Sequence, residues 1–174
     1  MRIFVAGATG AIGRQLLPLL VGEHEVAGMT RSRPELVREL GAEPAVCDVY
    51  DSERLFGAVG AFRPQVVVHL LTDLANRDFE ANNRIRVEGT RNLVDAAVAA
   101  GTRKIVVESV AFELPPAGEQ ALAEMVQLVR ASRLDPVVLR FAMLWGPGTW
   151  HEDGAPGEGY QHVREAAEAV RAAL

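Results

Sequence analysis

The chain has 174 residues, 49% of them hydrophobic and 24% charged, with a formal net charge of −5. That length suits one domain with a proper core, and the composition is that of an ordinary globular protein. The negative balance offers no basic footprint, which argues against nucleic acid as the main partner.

Short β-branched runs alternate with helical stretches along the chain. Residues 3–6, 25–29, 45–47, 65–70, 104–107 and 136–141 read as strands, most of them nearly continuous apolar runs. Such runs are what parallel strands covered on both faces look like. Between them, residues 11–21, 34–40, 52–61, 78–100 and 119–132 read as helices, and 162–173 closes the chain. The helix at 78–100 is best marked: Ile85, Val87, Leu93, Val94, Ala97 and Val98 recur on a helical period, and Gly101 stops it. The alternation predicts an α/β fold, a doubly wound parallel sheet of Rossmann order 3-2-1-4-5-6 with right-handed crossovers. Its ligand crevice is expected beside strand 1, where the order reverses. Residues 114–118 and 146–159 are rich in Gly and Pro and read as the most mobile loops.

One turn carries most of the functional information. Gly7-Ala8-Thr9-Gly10-Ala11-Ile12-Gly13 follows the first strand and opens the first helix. Gly7 lets the chain turn off the strand, Gly10 lets backbone approach a diphosphate, and Gly13 allows helix and strand to pack closely. The helix N-terminus adds N–H donors and positive potential.

With this turn the chain resembles the short-chain dehydrogenase/reductase superfamily, in its extended and atypical NAD-dependent epimerase/dehydratase-like branch. Further matching residues are Cys47-Asp48-Val49, Val66-Val67-Val68-His69-Leu70, Gly89-Thr90-Arg91-Asn92-Leu93 and the stretch from Leu139 to Gly148. The resemblance covers nearly the whole chain, but most of the C-terminal substrate-binding region of a full-length relative is missing. The expected organisation is one dinucleotide-binding domain over 1–174, with the loop 146–159 and a closing helix at 160–173 as the remnant of that region.

The resemblance implies a dinucleotide held by Gly7, Thr9, Gly10, Ala11, Ile12 and Gly13. Asp48 and Val49 would lie at the adenine, Leu70, Leu71 and Thr72 under the middle of the cofactor, and Phe141 beside it. An NAD-preferring site places an acid after strand 2, but this chain reads Thr30-Arg31-Ser32-Arg33. Arg31, helped by Ser32 or Arg33, could grip a 2′-phosphate, with Arg14 as a further positive charge. NADP(H) is therefore expected over NAD(H). His69 reads as a satisfied core histidine.

Typical family members use a serine, a tyrosine and a lysine, the last two spaced Tyr-x-x-x-Lys. Ser109 matches the serine after strand 5. The only tyrosines are Tyr50 and Tyr160 and the only lysine is Lys104, so no such spacing exists. The tyrosine position falls near Pro116, the lysine position near Gln120, and the asparagine of the preceding helix is Arg86. Tyr160 and Arg164 have Tyr-x-x-x-Arg spacing, but their place at the last helix reads as structural. Glu108, Glu113, His151 and Asp73 are the other ionisable residues near strand ends facing the crevice.

Three functions stay open on these residues. The first is an NADP(H)-dependent reductase of a small carbonyl or enone, with Ser109 donating a hydrogen bond to the substrate oxygen. The second is a non-catalytic cofactor-binding sensor or partner-binding module, similar to NmrA-type regulators. The third is a non-redox isomerase, cyclase or dehydratase. No cluster has metal-ligand spacing, so no metal is expected. Lone Cys47 rules out an intrachain disulfide and fits a reducing compartment. Gly7 arrives too early for a signal peptide, and no apolar run approaches the roughly 18 residues of a membrane span, so the cytoplasm is the expected location. The helices 78–100 and 119–132 resemble the pair through which relatives dimerise.

Overall fold

The computed structural model describes residues 1–74 and 77–174. Six parallel strands form the main sheet: β1 (Arg2–Ala6), β2 (Glu25–Thr30), β3 (Glu43–Val46), β4 (Val66–His69), β5 (Lys104–Val110) and β6 (Asp135–Phe141). Their order is β3-β2-β1-β4-β5-β6, as the alternation of runs predicts. The reversal beside β1 opens the crevice between β1 and β4, which pair from Ile3↔Val66 to Ala6↔His69.

The apolar runs feed two cores. Ile3, Val5 and Val106 point to the face covered by α1 (Ala11–Leu20) and α7 (Val163–Ala172). Phe4, Ala6, Ile105 and Val107 point to the face covered by α3 (Ser52–Phe62), α5 (Thr90–Ala99) and α6 (Pro116–Ala131). Side chains alternate across a strand, so every residue of these runs has a core to enter. The short α2 (Pro34–Glu39) closes the β2–β3 crossover.

Three expectations need correction. Residues 78–100 do not form one regular helix: α4 (Phe79–Arg84) passes through a π-helical turn, Ile85–Gly89, into α5. The wider turn lets the Gly89 backbone approach Val49, whose Cγ1 would stand 3.2 Å from any Cβ at that position. Such turns concentrate at functional sites. Residues 160–162 are not helical; β8 (Tyr160–His162) pairs in parallel with β7 (Met143–Trp145), and His162 then caps α7 by accepting from Arg164 N. Finally, α6 begins at Pro116, earlier than residue 119, because proline is well placed at a first helical position, where no N–H is needed.

Candidate functional site

Gly7 has φ +91°, and a Cβ there would lie 2.5 Å from the Leu70 carbonyl oxygen. β1 and the end of β4 can approach this closely only around glycine. Gly10 N donates to Gly7 O at 3.0 Å, and Gly10 is the N-cap of α1 without offering a side chain to it. The first helical bond runs from Arg14 N to Gly10 O. The N–H groups of the first turn therefore have no intrahelical acceptor, and no acidic residue lies in that turn. At Gly13 a Cβ would run into the carbonyl oxygens of Gly7 and Ala8. The result is a concave cradle of amides that suits a diphosphate.

The β2–α2 loop stands next to the cradle. Thr30 Oγ1 accepts from Arg33 N at 3.1 Å, and Arg33 Nη2 donates to Thr9 O at 2.9 Å. Arg33 thus ties the loop to the glycine turn, while Arg31 and Ser32 are exposed beside it. Asp48 Oδ1 accepts from Tyr50 N, and Val49 is buried with its carbonyl held by Asn92 Nδ2. Leu70 is buried against Gly7, Leu71 is part-buried, and Thr72 is exposed. Phe141 is buried in the core with Ile12, Leu70 and Val163.

The loop 146–159 reaches over this mouth. The Arg14 guanidinium fills the space that a Cβ of Gly148 would need, and Ala11 Cα lies 3.5 Å from the same point. Trp150 Nε1 donates to Leu74 O at 3.1 Å, beneath the Arg77 guanidinium at 4.8 Å. The loop therefore spans from α1 to the segment that leaves β4.

His69 is 2% exposed. Its Nδ1 accepts from Leu71 N, so Nε2 carries the hydrogen and donates to Thr90 Oγ1 at 2.8 Å. Burial lowers its pKa to about 4. We expect its ring signals to stay unchanged in an NMR titration from about pH 8 to about pH 5.5, where an exposed histidine moves. A midpoint near 6.5 would contradict this placement.

The relay position is empty of relay chemistry. Pro116 is the first residue of α6, and Gln120 is exposed on it. Lys104 lies at the other end of the sheet, where Nζ donates to Leu174 O at 2.9 Å. Tyr50 stacks under Arg84 at 4.1 Å, and burial raises its pKa. Tyr160 packs against His151, while Arg164 turns to Glu168 at 3.4 Å.

Ser109 is 4% exposed and shares the face of Val107. With Glu119, Gln127, Val138 and Arg140 it lines an open groove of about 630 Å³ between α6 and β6. Glu108 lies on the opposite parity, one residue beyond the last β4–β5 pair, His69↔Val107. Burial pushes its carboxyl up to about 7, against the pull of Arg86. Arg86, 8% exposed in the π turn, has its own pKa lowered by burial. No ion pair joins the two among the described residues. Among the described residues, no group of three His, Cys, Asp or Glu side chains could hold a metal, and no helix is long and apolar enough to cross a membrane.

A parallel sheet reversing at a glycine cradle defines a Rossmann-type dinucleotide-binding protein. Residues 3–120 match the NAD dependent epimerase/dehydratase family, and the chain belongs to it. A 3-diazoavenalumate denitrifying reductase from a Streptomyces species is 36% identical across all of this chain, which spans 72% of that protein. A ceramide reductase of Caulobacter vibrioides is 29% identical over 84% of this chain and matches 47% of its own length. The fold superposes on the UDP-glucose 4-epimerase of Thermus thermophilus, solved with NAD, with a TM-score of 0.82 at 22% identity, covering 100% of this chain and 74% of that one.

Proposed function

We propose that the protein is an NADP(H)-dependent reductase that serves a small acceptor without a tyrosine–lysine relay. The observation that carries this reading is the intact glycine cradle beside a relay position held by Pro116 and Gln120. Amides of the first turn of α1 would hold the diphosphate, Asp48 and Val49 the adenine, and Leu70 to Thr72 the middle of the cofactor. Bound there, the reduced nicotinamide supplies a hydride. The protein's part is to hold the two partners in line and to keep water from the reacting carbon.

The missing relay bears on the acceptor. A carbonyl or enone that accepts a hydride also takes a proton, which water must deliver when no side chain does. An aryl diazonium carbon that accepts a hydride forms a C–H bond and expels N2, and the reaction balances without a proton. A phenol of lowered pKa would also couple to such an electrophile, so an acceptor of this kind favours a crevice without the relay tyrosine. The name of the Streptomyces relative supports the same acceptor. The deciding assay uses NADPH deuterated at C4, with an aryl diazonium salt and a panel of carbonyl and enone compounds. We expect protein-dependent deuterium in the arene together with N2 release. Tight NADPH binding with no transfer to any acceptor would leave a sensor, and turnover unchanged after stripping the cofactor would leave a non-redox enzyme.

The preference for NADP(H) draws on the missing acid after β2 and on the arginines there. Arg31 is exposed and free to reach a 2′-phosphate, and Arg33 is fixed beside it by Thr9. We expect Arg31→Ala and Arg33→Ala each to weaken NADPH binding about tenfold while leaving NADH within about twofold, as charge-assisted contacts to one phosphate should. Equal losses for both nucleotides would show that the arginines only shape the loop.

Pairing of two copies through 78–100 and 119–132 is part of the same reading. A groove of about 350 Å³ between these helices, lined by Val87, Ala117 and Ala121, supports it. Light scattering should return twice the chain mass; a monomer mass removes the pairing. The whole of 1–174 would act as one cofactor-binding unit, with the loop 146–159 as the remnant of a substrate region.

A further inference from the structure

The segment from Gly146 to Glu152 is knit into one piece. Gly146 N donates to His151 O at 2.9 Å, and Thr149 N and Oγ1 both donate to Gly146 O, at 3.1 and 2.8 Å. His151 N donates to Thr149 Oγ1, and Gly148 N to Glu152 Oε1 at 2.9 Å. The piece is held at two places, on opposite sides of the crevice. At one, Gly148, with φ +84°, sits on α1 so closely that a Cβ would overlap Arg14 Nη2 and lie 3.5 Å from Ala11 Cα. At the other, Trp150 Nε1 donates to Leu74 O at 3.1 Å, with its ring edge-on to Phe79 and under the Arg77 guanidinium. Both attachments are slight. Trp150 stays 39% exposed, and Arg14 Nε is buried with no acceptor among the described residues, which weakens the closed position. Beyond Glu152 the hold ends: residues 155–159 are exposed, and nothing lies within 4 Å of a Cβ at Gly154 or Gly157. A stiff piece with small attachments and a loose tether opens locally, as a unit.

We propose that residues 146–152 are a strap that gates the nucleotide, with Gly148 on Arg14 as its seat and Trp150 on Leu74 as its latch. A dinucleotide lying from the glycine cradle to the end of β4 runs beneath the strap, so it enters or leaves only when the latch opens. Arg14 then serves the seat and acts on both nucleotides alike, whereas Arg33 reaches Thr9 from the β2–α2 loop. This deepens the cofactor reading and rests on it, but the two fail in different ways.

Stopped-flow mixing with NADPH, and separately with NADH, gives the association and dissociation rates. Trp150→Phe keeps an aromatic ring beside Phe79 and Arg77 and removes the indole donor. It should raise both rates about fivefold, as loss of one hydrogen bond across a gate does, with the dissociation constant held within about twofold. Gly148→Ala lifts the strap off its seat and should raise both rates about tenfold or more. Adding Arg14→Ala removes the collision and should bring them back toward wild type. These effects should be equal for the two nucleotides, unlike those of Arg31→Ala. A second arm needs no nucleotide: the indole ¹H–¹⁵N signal of Trp150, assigned by its loss in Trp150→Phe. That signal should shift and exchange faster with solvent in Gly148→Ala, and recover in the double variant. A dissociation rate that rises alone would make Trp150 an ordinary nucleotide contact. Binding with unchanged rates, or an indole signal that ignores Gly148→Ala, would likewise overturn the strap while leaving the cofactor reading intact. If neither nucleotide binds wild type or any variant, the cofactor reading has failed and the gate falls with it.

Discussion

Replacing Gly13 by alanine should cost about 3 kcal/mol of stability and abolish dinucleotide binding. The new Cβ would meet the carbonyl oxygens of Gly7 and Ala8, both backbone atoms that no rotamer change can move. Relief requires α1 to lift away from the turn, which opens the packing of Ile12, Leu16 and Leu17 against the sheet and spreads the amides of the cradle. Gly10 offers the contrasting case. Its backbone is extended, at φ −75° and ψ 178°, and a Cβ there would lie 3.2 Å from Gly7 O. Gly10→Ala should therefore lose less than about 1 kcal/mol while still pushing a methyl group toward the diphosphate. Urea denaturation paired with NADPH titration separates the two. Gly13→Ala should fail in both, Gly10→Ala only in binding. A Gly13→Ala protein that melts and binds like wild type would mean that α1 does not pack on the turn as described.

Glu108→Gln should make the protein more stable at alkaline pH and leave it unchanged in acid. The folded chain holds the Glu108 proton up to about pH 7, whereas an unfolded glutamate releases it near 4.5. The folded state therefore binds the extra proton. Its contribution is fully present below about pH 4.5 and is lost as the pH rises through about 7. A displacement of that size corresponds to about 3 kcal/mol, which the variant should regain by about pH 8.5 relative to wild type. His69 acts in the opposite sense: its pKa is lowered to about 4, so its contribution is present above 6.5 and fades as the pH falls toward 4. The two slopes oppose each other between about 4.5 and 6.5, so the informative quantity is the difference between variant and wild type at each pH. Urea unfolding at about pH 5 and about pH 8.5 gives it. A difference that is the same at both would show that Glu108 is ionised throughout.

Much of this was written in the chain. Runs such as Ile3-Phe4-Val5-Ala6 and Val66-Val67-Val68 are apolar on both parities because helices cover both faces, and their alternation with helical stretches gives the sheet order. Two of the glycines answer to backbone contacts that the spacing anticipates: Gly7 turns off β1 against the Leu70 carbonyl, and Gly13 packs on the carbonyl oxygens of Gly7 and Ala8. β3 begins at Glu43, two residues before the apolar signal, because an edge strand is only half covered. The π turn was not legible: the helical period runs through Ile85 and Val87, and one extra residue in a turn leaves the pattern of apolar residues intact. The three-residue strands β7 and β8 are too short to show any period. Strand parity does separate Ser109 from Glu108, since Ile105 and Val107 define one face and Val106 the other. Which face the crevice uses depends on where α6 and the π turn stand. That Arg33 reaches Thr9 and that Gly148 lies on Arg14 depends on side-chain reach across 24 and 134 positions of sequence, which no local pattern encodes.

On the proposed function, amides at the mouth of the first crossover face a dinucleotide diphosphate. A ¹H–¹⁵N NMR titration of the wild-type protein with NADPH addresses those atoms directly. The amide signals of Gly10, Ala11 and Ile12 should show the largest displacements in the spectrum and saturate at one nucleotide per chain, with NADH producing the same displacements at higher concentration. If those three signals stay in place at saturating nucleotide, the glycine cradle holds no cofactor.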